Sequence, residues 1–248
     1  MVLGIPHTNN QYCIDKGFKP TPMSCSKNNF FRDDSNTVLK WEEIQELLER
    51  PRVLSSSIEI HIIRHAESEI NAQKRITGSQ DVKLTPRGRE QAKHLGQKLD
   101  ESYDVAFTST LERAYETLNL ALGNGNVNVG TIIRDSRLNE RSLGILEGKR
   151  QHTVLEYAAG DLDYAPEQGE SYREVTQRII SFLLNLFESV SEQKLEKVLI
   201  CSHMGPMRIM VGILADIANP VEVLNFRFSN AEVLKINWEK LQLPKFLN

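Results

Sequence analysis

Hydrophobic residues follow two kinds of spacing from residue 58 onward, and the two kinds alternate along the chain. IEIHIIR (58–64) and KVLICS (197–202) are apolar, β-branched runs of the length that buried strands adopt. DVAFTS (104–109) predicts a shorter strand, and the alternating EVLKINW (232–238) predicts a strand at the edge of a sheet. Stretches with helical spacing separate these strands.

Three helix starts carry capping residues, and a fourth helix is expected to begin near Pro206. The capped starts are Thr85–Pro86, Ser109–Glu112 and Ser171–Glu174. The apolar stripes behind them are Ala92, Leu95 and Leu99; Leu111, Ala114, Leu118 and Leu122; and Val175, Ile179, Phe182 and Leu186. Because strands and helices alternate, we predict an α/β fold, a three-layer α/β/α sandwich with a mainly parallel central sheet.

The first 57 residues differ in composition from the rest, and we predict that they form an extension. Residues 1–36 are polar and have no sustained period, whereas a short helix is predicted near 39–50, with Leu39, Ile44, Leu47 and Leu48 on one face. The serines at 55–57 are expected to form a connector. Residues 58–248 would then form the main domain.

Composition narrows the class of protein. The chain has 248 residues, of which 40% are hydrophobic, with a net charge of −3 and a pI near 6.1. We therefore expect no non-specific nucleic-acid or membrane-surface binding, which would need a basic face. Three scattered cysteines suggest reduced thiols and a cytoplasmic protein. We expect no signal peptide at the amino terminus and no membrane span, because polar residues interrupt the apolar stretch 198–218.

Charged and titratable side chains collect where predicted strands end. Arg64 and His65 follow the strand at 58–64, Arg113 follows the strand at 104–109, and His203 follows the strand at 197–202. Ligands of parallel sheets bind beyond the carboxyl ends of the strands, so these four residues are expected in one crevice. Two arginines suit a phosphate dianion, and a neutral histidine can attack phosphorus. A carboxylic acid would have to protonate the leaving alkoxide.

These residues belong to six blocks that resemble the histidine phosphatase superfamily, which includes phosphoglycerate mutases and fructose-2,6-bisphosphatases. Arg64–Ser68 with Asn71 is similar to the RHGES…N signature of that superfamily. The resemblance covers residues 58–240, and the further blocks occur in the family's order: TGSQDVKLTPRGREQA (77–92), TSTLERAYET (108–117), LNERSLGILEG (138–148), QGESYREV (168–175) and SHMGPMR (202–208).

The resemblance implies a role for each matching residue. His65 would be the nucleophile that becomes phosphohistidine, and Glu140 the proton donor. The remaining phosphate contacts would come from Arg64, Arg113, His203 and Asn71. The expected substrate contacts are Thr77, Gly78, Arg141 and Met204. No metal and no cofactor are expected in this mechanism, because the arginines supply the positive charge. The expected partner is a small phosphorylated substrate, and self-association into a homo-oligomer stays open.

Departures from the mutase pattern favour a metal-independent phosphatase that hydrolyses a phosphomonoester. Leu143 stands where the mutases have tyrosine, Gln151 where they have a substrate-binding lysine, and their long arginine-containing insertion is absent. Ala66 and Met204 replace glycines of the family pattern, and Met204 would narrow the pocket beside His203. Two alternatives stay open: phosphoryl transfer as in phosphoglycerate mutases, and a non-catalytic binding protein with the same fold.

Several residues compete with these assignments. Glu67 and Glu147 are alternatives to Glu140 as the proton donor, and Cys201 is an alternative nucleophile, although its apolar strand favours a packing role. His61 and His65 lie four residues apart on a strand, on the order of 13 Å at about 3.3 Å per residue, which is too far to share a metal ion.

Overall fold

A five-stranded sheet forms the centre of the molecule. The computed structural model describes residues 37–100, 102–153 and 161–247. The strand order is β5-β3-β6-β1-β7, and β7 alone is antiparallel to its neighbour. The strands of this sheet are β1 (Arg52–Arg64), β3 (Val105–Thr108), β5 (Ile132–Arg134), β6 (Lys197–Ser202) and β7 (Val233–Leu241). A small parallel pair is formed by β2 (Ser102–Tyr103) and β4 (Asn128–Val129).

Four strands of the central sheet are those that the apolar runs predicted. The run 197–202 forms β6 over its full length, and the alternating run near 232–238 forms β7 at one edge of the sheet. The interior pairs β1–β6 and β6–β3 are parallel, in register at Ile60↔Val198 and Ala106↔Leu199. The carboxyl ends of these three strands therefore lie together.

Seven α-helices occur in the described part of the chain. They are α1 (Trp41–Leu47), α2 (Glu69–Ala72), α3 (Pro86–Leu95), α4 (Glu112–Asn124), α5 (Tyr172–Gln193), α6 (Met204–Leu214) and α7 (Pro220–Asn225). Within the same ranges, no helix is both long and apolar enough to cross a membrane.

Two of the three predicted caps are confirmed. The Thr85 hydroxyl accepts from the Gly88 amide, and Ser171 with Glu174 forms a capping box at the start of α5. The predicted box of Ser109 and Glu112 is wrong, because α4 begins at Glu112 with Leu111 as its cap residue. The fourth predicted helix, α6, begins two residues before Pro206, at Met204.

The hydrophobic core lies on both faces of the sheet. On one face, α1, α5 and α6 pack on even-numbered β1 residues such as Ile60 and Ile62. On the other face, Leu95 from α3 and Leu118 from α4 pack against Ile63. The three-layer α/β/α architecture predicted from the sequence is confirmed.

Part of the amino-terminal extension is built into this core. Ile44 of α1 is fully buried, whereas Leu47, which we placed on the same face, is exposed. The Leu39 amide donates to Ser181 Oγ on α5 at 2.9 Å. The predicted connector at 55–57 is wrong, because these serines lie inside β1, in a stretch where its register with β7 shifts. The prediction for residues 1–36 lies outside the described residues.

Ile44→Ala should destabilise the whole domain. The side chain is 0% exposed, and deletion of a buried isoleucine costs about 2–5 kcal/mol of unfolding free energy. Leu47→Ala is the matched control on the same helix, since Leu47 is 45% exposed and its loss should cost less than about 1 kcal/mol. Urea unfolding measures both values. Equal costs would show that α1 is a surface appendage that contributes no core.

Candidate active site

Two histidines meet at the carboxyl edge of the parallel strands. His65 follows β1 directly, and its amide donates to Ser202 O at the end of β6 at 3.0 Å. His203 is the next residue after β6 and precedes the first turn of α6. The two imidazole rings lie 5.0 Å apart between centroids. The predicted convergence of strand ends therefore places both side chains in one site.

His65 is held in the form that a nucleophile needs. Its Nδ1 lies 2.7 Å from Ala66 O, and because a carbonyl only accepts, Nδ1 carries the proton and donates. Burial, with Arg113 and Arg64 nearby, lowers the pKa of His65 well below 6.5. The ring is therefore neutral near pH 7, and Nε2 keeps a free lone pair.

Two guanidinium groups supply positive charge beside this ring. Arg113, the second residue of α4, is fully buried and donates to Gly78 O at 2.8 Å and to Gln80 O at 2.6 Å. Burial lowers the pKa of Arg113 to about 10, so it stays charged at neutral pH. Arg64 donates to Phe228 O at 2.5 Å. Guanidinium groups held in this way beside a neutral histidine form a site for an anion.

His203 is the second buried imidazole of the site. Its Nε2 lies 2.8 Å from Ser109 Oγ, and its Nδ1 is buried without a hydrogen-bond partner among the described residues. Burial is the main cause that lowers the pKa of His203 well below 6.5, followed by the charge of Arg113. As the cap residue of α6, His203 also lies at the positive end of a helix dipole.

Glu140 is the carboxylate that the fold brings to this end of β6. Its Oε1 accepts from the amides of Arg141 at 2.9 Å and Gly205 at 3.0 Å, next to His203. Both of these hydrogen bonds fall on Oε1 rather than on Oε2. A Cβ at position 205 would lie 2.5 Å from Oε1, so this contact needs glycine.

The two rival carboxylates serve other contacts. Glu67 turns toward α3, where its Oε1 accepts from Thr85 Oγ1 at 2.8 Å. Glu147 Oε1 accepts from the amides of Ser79 at 2.8 Å and Leu143 at 3.0 Å, which joins two loops. Both side chains therefore support loops around the site, and Glu140 is the carboxylate next to His203.

The expected substrate contacts Asn71, Thr77 and Gly78 lie beside one another. The Asn71 amide group donates to Thr77 Oγ1 at 3.4 Å, and Gly78 O accepts from Arg113. Gly78 has φ of +56°, and a Cβ there would lie 2.1 Å from Glu147 Oε1, so glycine is required. These residues border the anion site, and their contact with a substrate stays a prediction.

Arg141 and Met204 have surroundings that the sequence did not reveal. Arg141 is 3% exposed, donates to Glu170 O and Tyr164 O at 2.6 Å each, and stacks on Tyr172 at 4.2 Å. These contacts tie Arg141 to the 161–171 loop, and its contact with a substrate stays a prediction. Met204 begins α6 and is half-buried beside His203, where it packs on the core.

Cys201 and His61 are buried away from this chemistry. Burial raises the pKa of the Cys201 thiol, and its Sγ contacts Ala114 O at 3.3 Å, so it is a packing residue. His61 forms a close group with Glu59 and Asp100. Its Nδ1 lies 2.6 Å from Tyr103 Oη, and Lys197 pairs with both carboxylates of the group. These potential metal ligands therefore already have protein partners.

Sequence reasoning missed three polar residues that hold the site together. Asn230 donates to His65 O at 2.9 Å. Ser109 contacts His203, and Asn139 accepts from Ser109 Oγ at 2.7 Å. The capping spacing of Ser109 concealed its contact with a residue far along the chain, and no local pattern distinguishes Asn139 or Asn230.

Comparison with known proteins decides the family of this site. The model of the histidine phosphatase superfamily (branch 1) matches residues 60–243. The chain belongs to the histidine phosphatase superfamily. This match spans the sheet from Ile60 of β1 onward and includes His65, Arg113, Glu140 and His203, which confirms the resemblance seen in the six sequence blocks.

Relatives of this superfamily member include both mutases and phosphatases. A 2,3-bisphosphoglycerate-dependent phosphoglycerate mutase of Cytophaga hutchinsonii is 34% identical over 166 residues, which cover 63% of this chain and 77% of the relative. The α-ribazole phosphatase of Shigella flexneri is 28% identical, with a TM-score of 0.60 over 75% of this chain and 96% of that chain. A phosphoglycerate mutase of Bacillus anthracis, 23% identical, shares the fold with a TM-score of 0.62, covering 74% and 89%.

Stability should fall at mildly acidic pH because the fold keeps His65 and His203 neutral. Well above pH 6.5, the ordinary histidine pKa, both are neutral in the folded and the unfolded chain, so they add no pH dependence. Below pH 6.5 the unfolded chain binds protons that the folded chain excludes. The free energy of unfolding then drops by roughly 1 kcal/mol per histidine for each pH unit.

Urea unfolding at about pH 7.5, 6 and 5 measures this slope. His203→Gln should remove about half of it, because one of the two neutral histidines is gone. A slope that is equally steep in the variant would show that other groups cause the acid sensitivity.

Proposed function

We propose that the protein hydrolyses a phosphomonoester through a phosphohistidine at His65. The observation that carries the proposal is the hydrogen bond from His65 Nδ1 to Ala66 O, which frees Nε2 for attack. In the first step Nε2 forms a bond to phosphorus while the bond from phosphorus to the ester oxygen breaks. Arg64, Arg113 and His203 would hold the transferring group, and the two guanidinium groups would stabilise its negative charge.

Glu140 would move the proton in both steps. In the first step it donates a proton from Oε2 to the leaving alkoxide, and in the second it takes a proton from the attacking water. Water then forms the new bond to phosphorus, the bond to Nε2 breaks, and phosphate leaves. The amides of Arg141 and Gly205 hold Oε1 in place throughout.

Phosphoryl transfer to a second alcohol is the other candidate function. It is favoured by the Cytophaga hutchinsonii relative, which is named a mutase. Hydrolysis is favoured by Leu143 and Gln151, which replace residues of the mutase pattern, and by the α-ribazole phosphatase, whose chain is covered to 96%. Curated mutases of the same name are matched over as little as half their length.

A panel of phosphomonoesters, with α-ribazole 5′-phosphate and 3-phosphoglycerate among them, tests the proposal. We expect phosphate release in the presence of a chelator, with one oxygen of the phosphate derived from ¹⁸O-labelled water. Isomerised phosphoglycerate without release would identify a mutase. Failure to release phosphate or to isomerise any compound would favour a binding protein with the same fold.

Gly205→Ala should lower kcat by disturbing Glu140. The new Cβ would displace Oε1, and a displacement near 1 Å can cost about 100-fold in rate. Gly205 is the second residue of α6, and alanine has a higher helix propensity than glycine, so a loss of helix propensity does not account for the effect. Adding Gly205→Ala to Glu140→Gln should cost little more, because both changes act on one carboxylate. Independent losses of activity that multiply would contradict this explanation.

A further inference from the structure

Three polar side chains form a hydrogen-bonded chain that ends on Nε2 of the buried His203. They are Thr110, Asn139 and Ser109. Asn139 Oδ1 lies 2.9 Å from the Thr110 amide, and because an amide N–H only donates, the atom that faces it must be the side-chain oxygen. The orientation of Asn139 is therefore fixed by the backbone. The Thr110 hydroxyl also donates to this oxygen, at 2.9 Å.

The fixed oxygen of Asn139 determines where the Ser109 proton points. Ser109 Oγ lies 2.7 Å from Asn139 Oδ1, and of these two oxygens only the hydroxyl has a hydrogen, so Ser109 donates. Ser109 Oγ is then left with lone pairs toward His203 Nε2, 2.8 Å away. His203 must donate from Nε2, and in a neutral ring this leaves the lone pair on Nδ1.

The other nitrogen of His203 has no protein partner in the described part of the chain. His203 is 0% exposed, and its Nδ1 is a buried polar atom without a hydrogen bond. A buried, unsatisfied nitrogen costs stability and calls for an explanation at a functional site. The centroid of the His203 ring lies 5.0 Å from that of the His65 ring, and the charges of Arg113 and Arg64 act on His203.

We propose that Ser109 and Asn139 are positioning residues that hold His203 as its Nε2–H tautomer and reserve Nδ1 for the phosphoryl group. This role rests on the proposed function, since the phosphoryl group is the ligand that would occupy Nδ1. A phosphate monoanion donates its O–H to this lone pair, and the proton then lies between oxygen and nitrogen. With the opposite tautomer, Ser109 would lose its donor and Nδ1 could not accept.

A purely structural role for Asn139 is the competing explanation, because Asn139 also ties down the turn at Thr110. Thr110→Val separates the two roles. It removes one donor to the same Asn139 oxygen while the Ser109–His203 contact stays intact. Asn139→Asp keeps an accepting oxygen at this position, and Asn139→Ala removes it.

Long-range ¹H–¹⁵N correlation of histidine side chains reports the tautomer directly in the resting protein. His203 is assigned by difference with His203→Gln. We expect Nε2–H for His203 in the wild type, Thr110→Val and Asn139→Asp, and a mixture of tautomers in Ser109→Ala and Asn139→Ala. In Ser109→Ala and Asn139→Ala, kcat should fall about 10- to 100-fold. This is the cost typical of losing a hydrogen bond that orients a metal-bound histidine, and the orienting role here is the same.

The wild-type spectrum alone can overturn the proposal, even where a variant does not fold. Nδ1–H in the wild type, with phosphate release intact, would refute the positioning chain and leave hydrolysis standing. A pure Nε2–H tautomer in Ser109→Ala with undiminished kcat would refute it as well. The expected tautomer in a wild type that releases no phosphate would support the geometry of the chain and refute the proposed function.

Discussion

His65→Ala is expected to abolish phosphate release, by about 10⁴-fold or more in kcat, because it removes the imidazole that would form the covalent intermediate. The imidazole supplies the attacking Nε2, whose lone pair is free because Nδ1 donates to Ala66 O. Rapid quenching of the wild type with a labelled substrate should trap phosphate on the protein as an acid-labile, base-stable phosphoramidate. The variant should trap none.

Cys201→Ala is the matched control for this experiment. Cys201 is also fully buried, it lies on the neighbouring strand β6, and burial raises the pKa of its thiol. The control should keep both phosphate release and the trapped intermediate. Retention of the intermediate in His65→Ala, or its loss in Cys201→Ala, would show that the nucleophile is a residue other than His65.

The position of His65 could be predicted because it depends on the direction and pairing of the strands rather than on side-chain detail. Apolar runs of strand length identify β1 and β6, and parallel neighbours must present their carboxyl ends at one edge. His65 and His203 follow those ends, so the sequence places them together without any side-chain detail. The same reasoning predicted that Arg113, at the start of α4, lies in this crevice.

The orientation of polar side chains could not be predicted, because it depends on partners far along the chain. Arg141 follows Glu140 directly, yet its guanidinium binds Glu170 O, which is supplied by the loop before α5. Ser109 has the spacing of a helix cap, but His203, 94 positions away, competes successfully for its hydroxyl. Local spacing predicts local hydrogen bonds and cannot reveal such long-range competition.

The serines at 55–57 show a similar limit for backbone structure. A run of serines has weak preference for strands and is typical of loops, so the sequence predicts a connector. In the structure β1 begins at Arg52, which pairs with Leu241 of β7. The pairing with β7 resumes at Ile58, which lies opposite Trp238. The pairing with β7 before and after the serines along β1 keeps them in the strand. This pairing comes from the tertiary structure, which the local sequence does not reveal.

Glu140→Gln is expected to lower kcat by about 10²- to 10⁴-fold for alkyl phosphates, the range typical of a lost general acid and base. Glutamine keeps a carbonyl oxygen that can accept from the Arg141 and Gly205 amides, so the loop should stay in place. It cannot deliver a proton to an alkoxide or take one from water. Phosphate release from an alkyl phosphate at saturating substrate measures the loss.

The leaving group separates the two proton transfers. A nitrophenolate leaves without protonation, so Glu140→Gln should form the phosphoenzyme from nitrophenyl phosphate at a rate within about 10-fold of the wild type. Breakdown of this intermediate still needs a base, and phosphoenzyme should therefore accumulate. Glu67→Gln is the matched control, because Glu67 follows His65 by two residues but contacts Thr85 instead of the site. An equal loss in both variants, or an equal loss for both kinds of leaving group, would mean that Glu140 does not handle the proton.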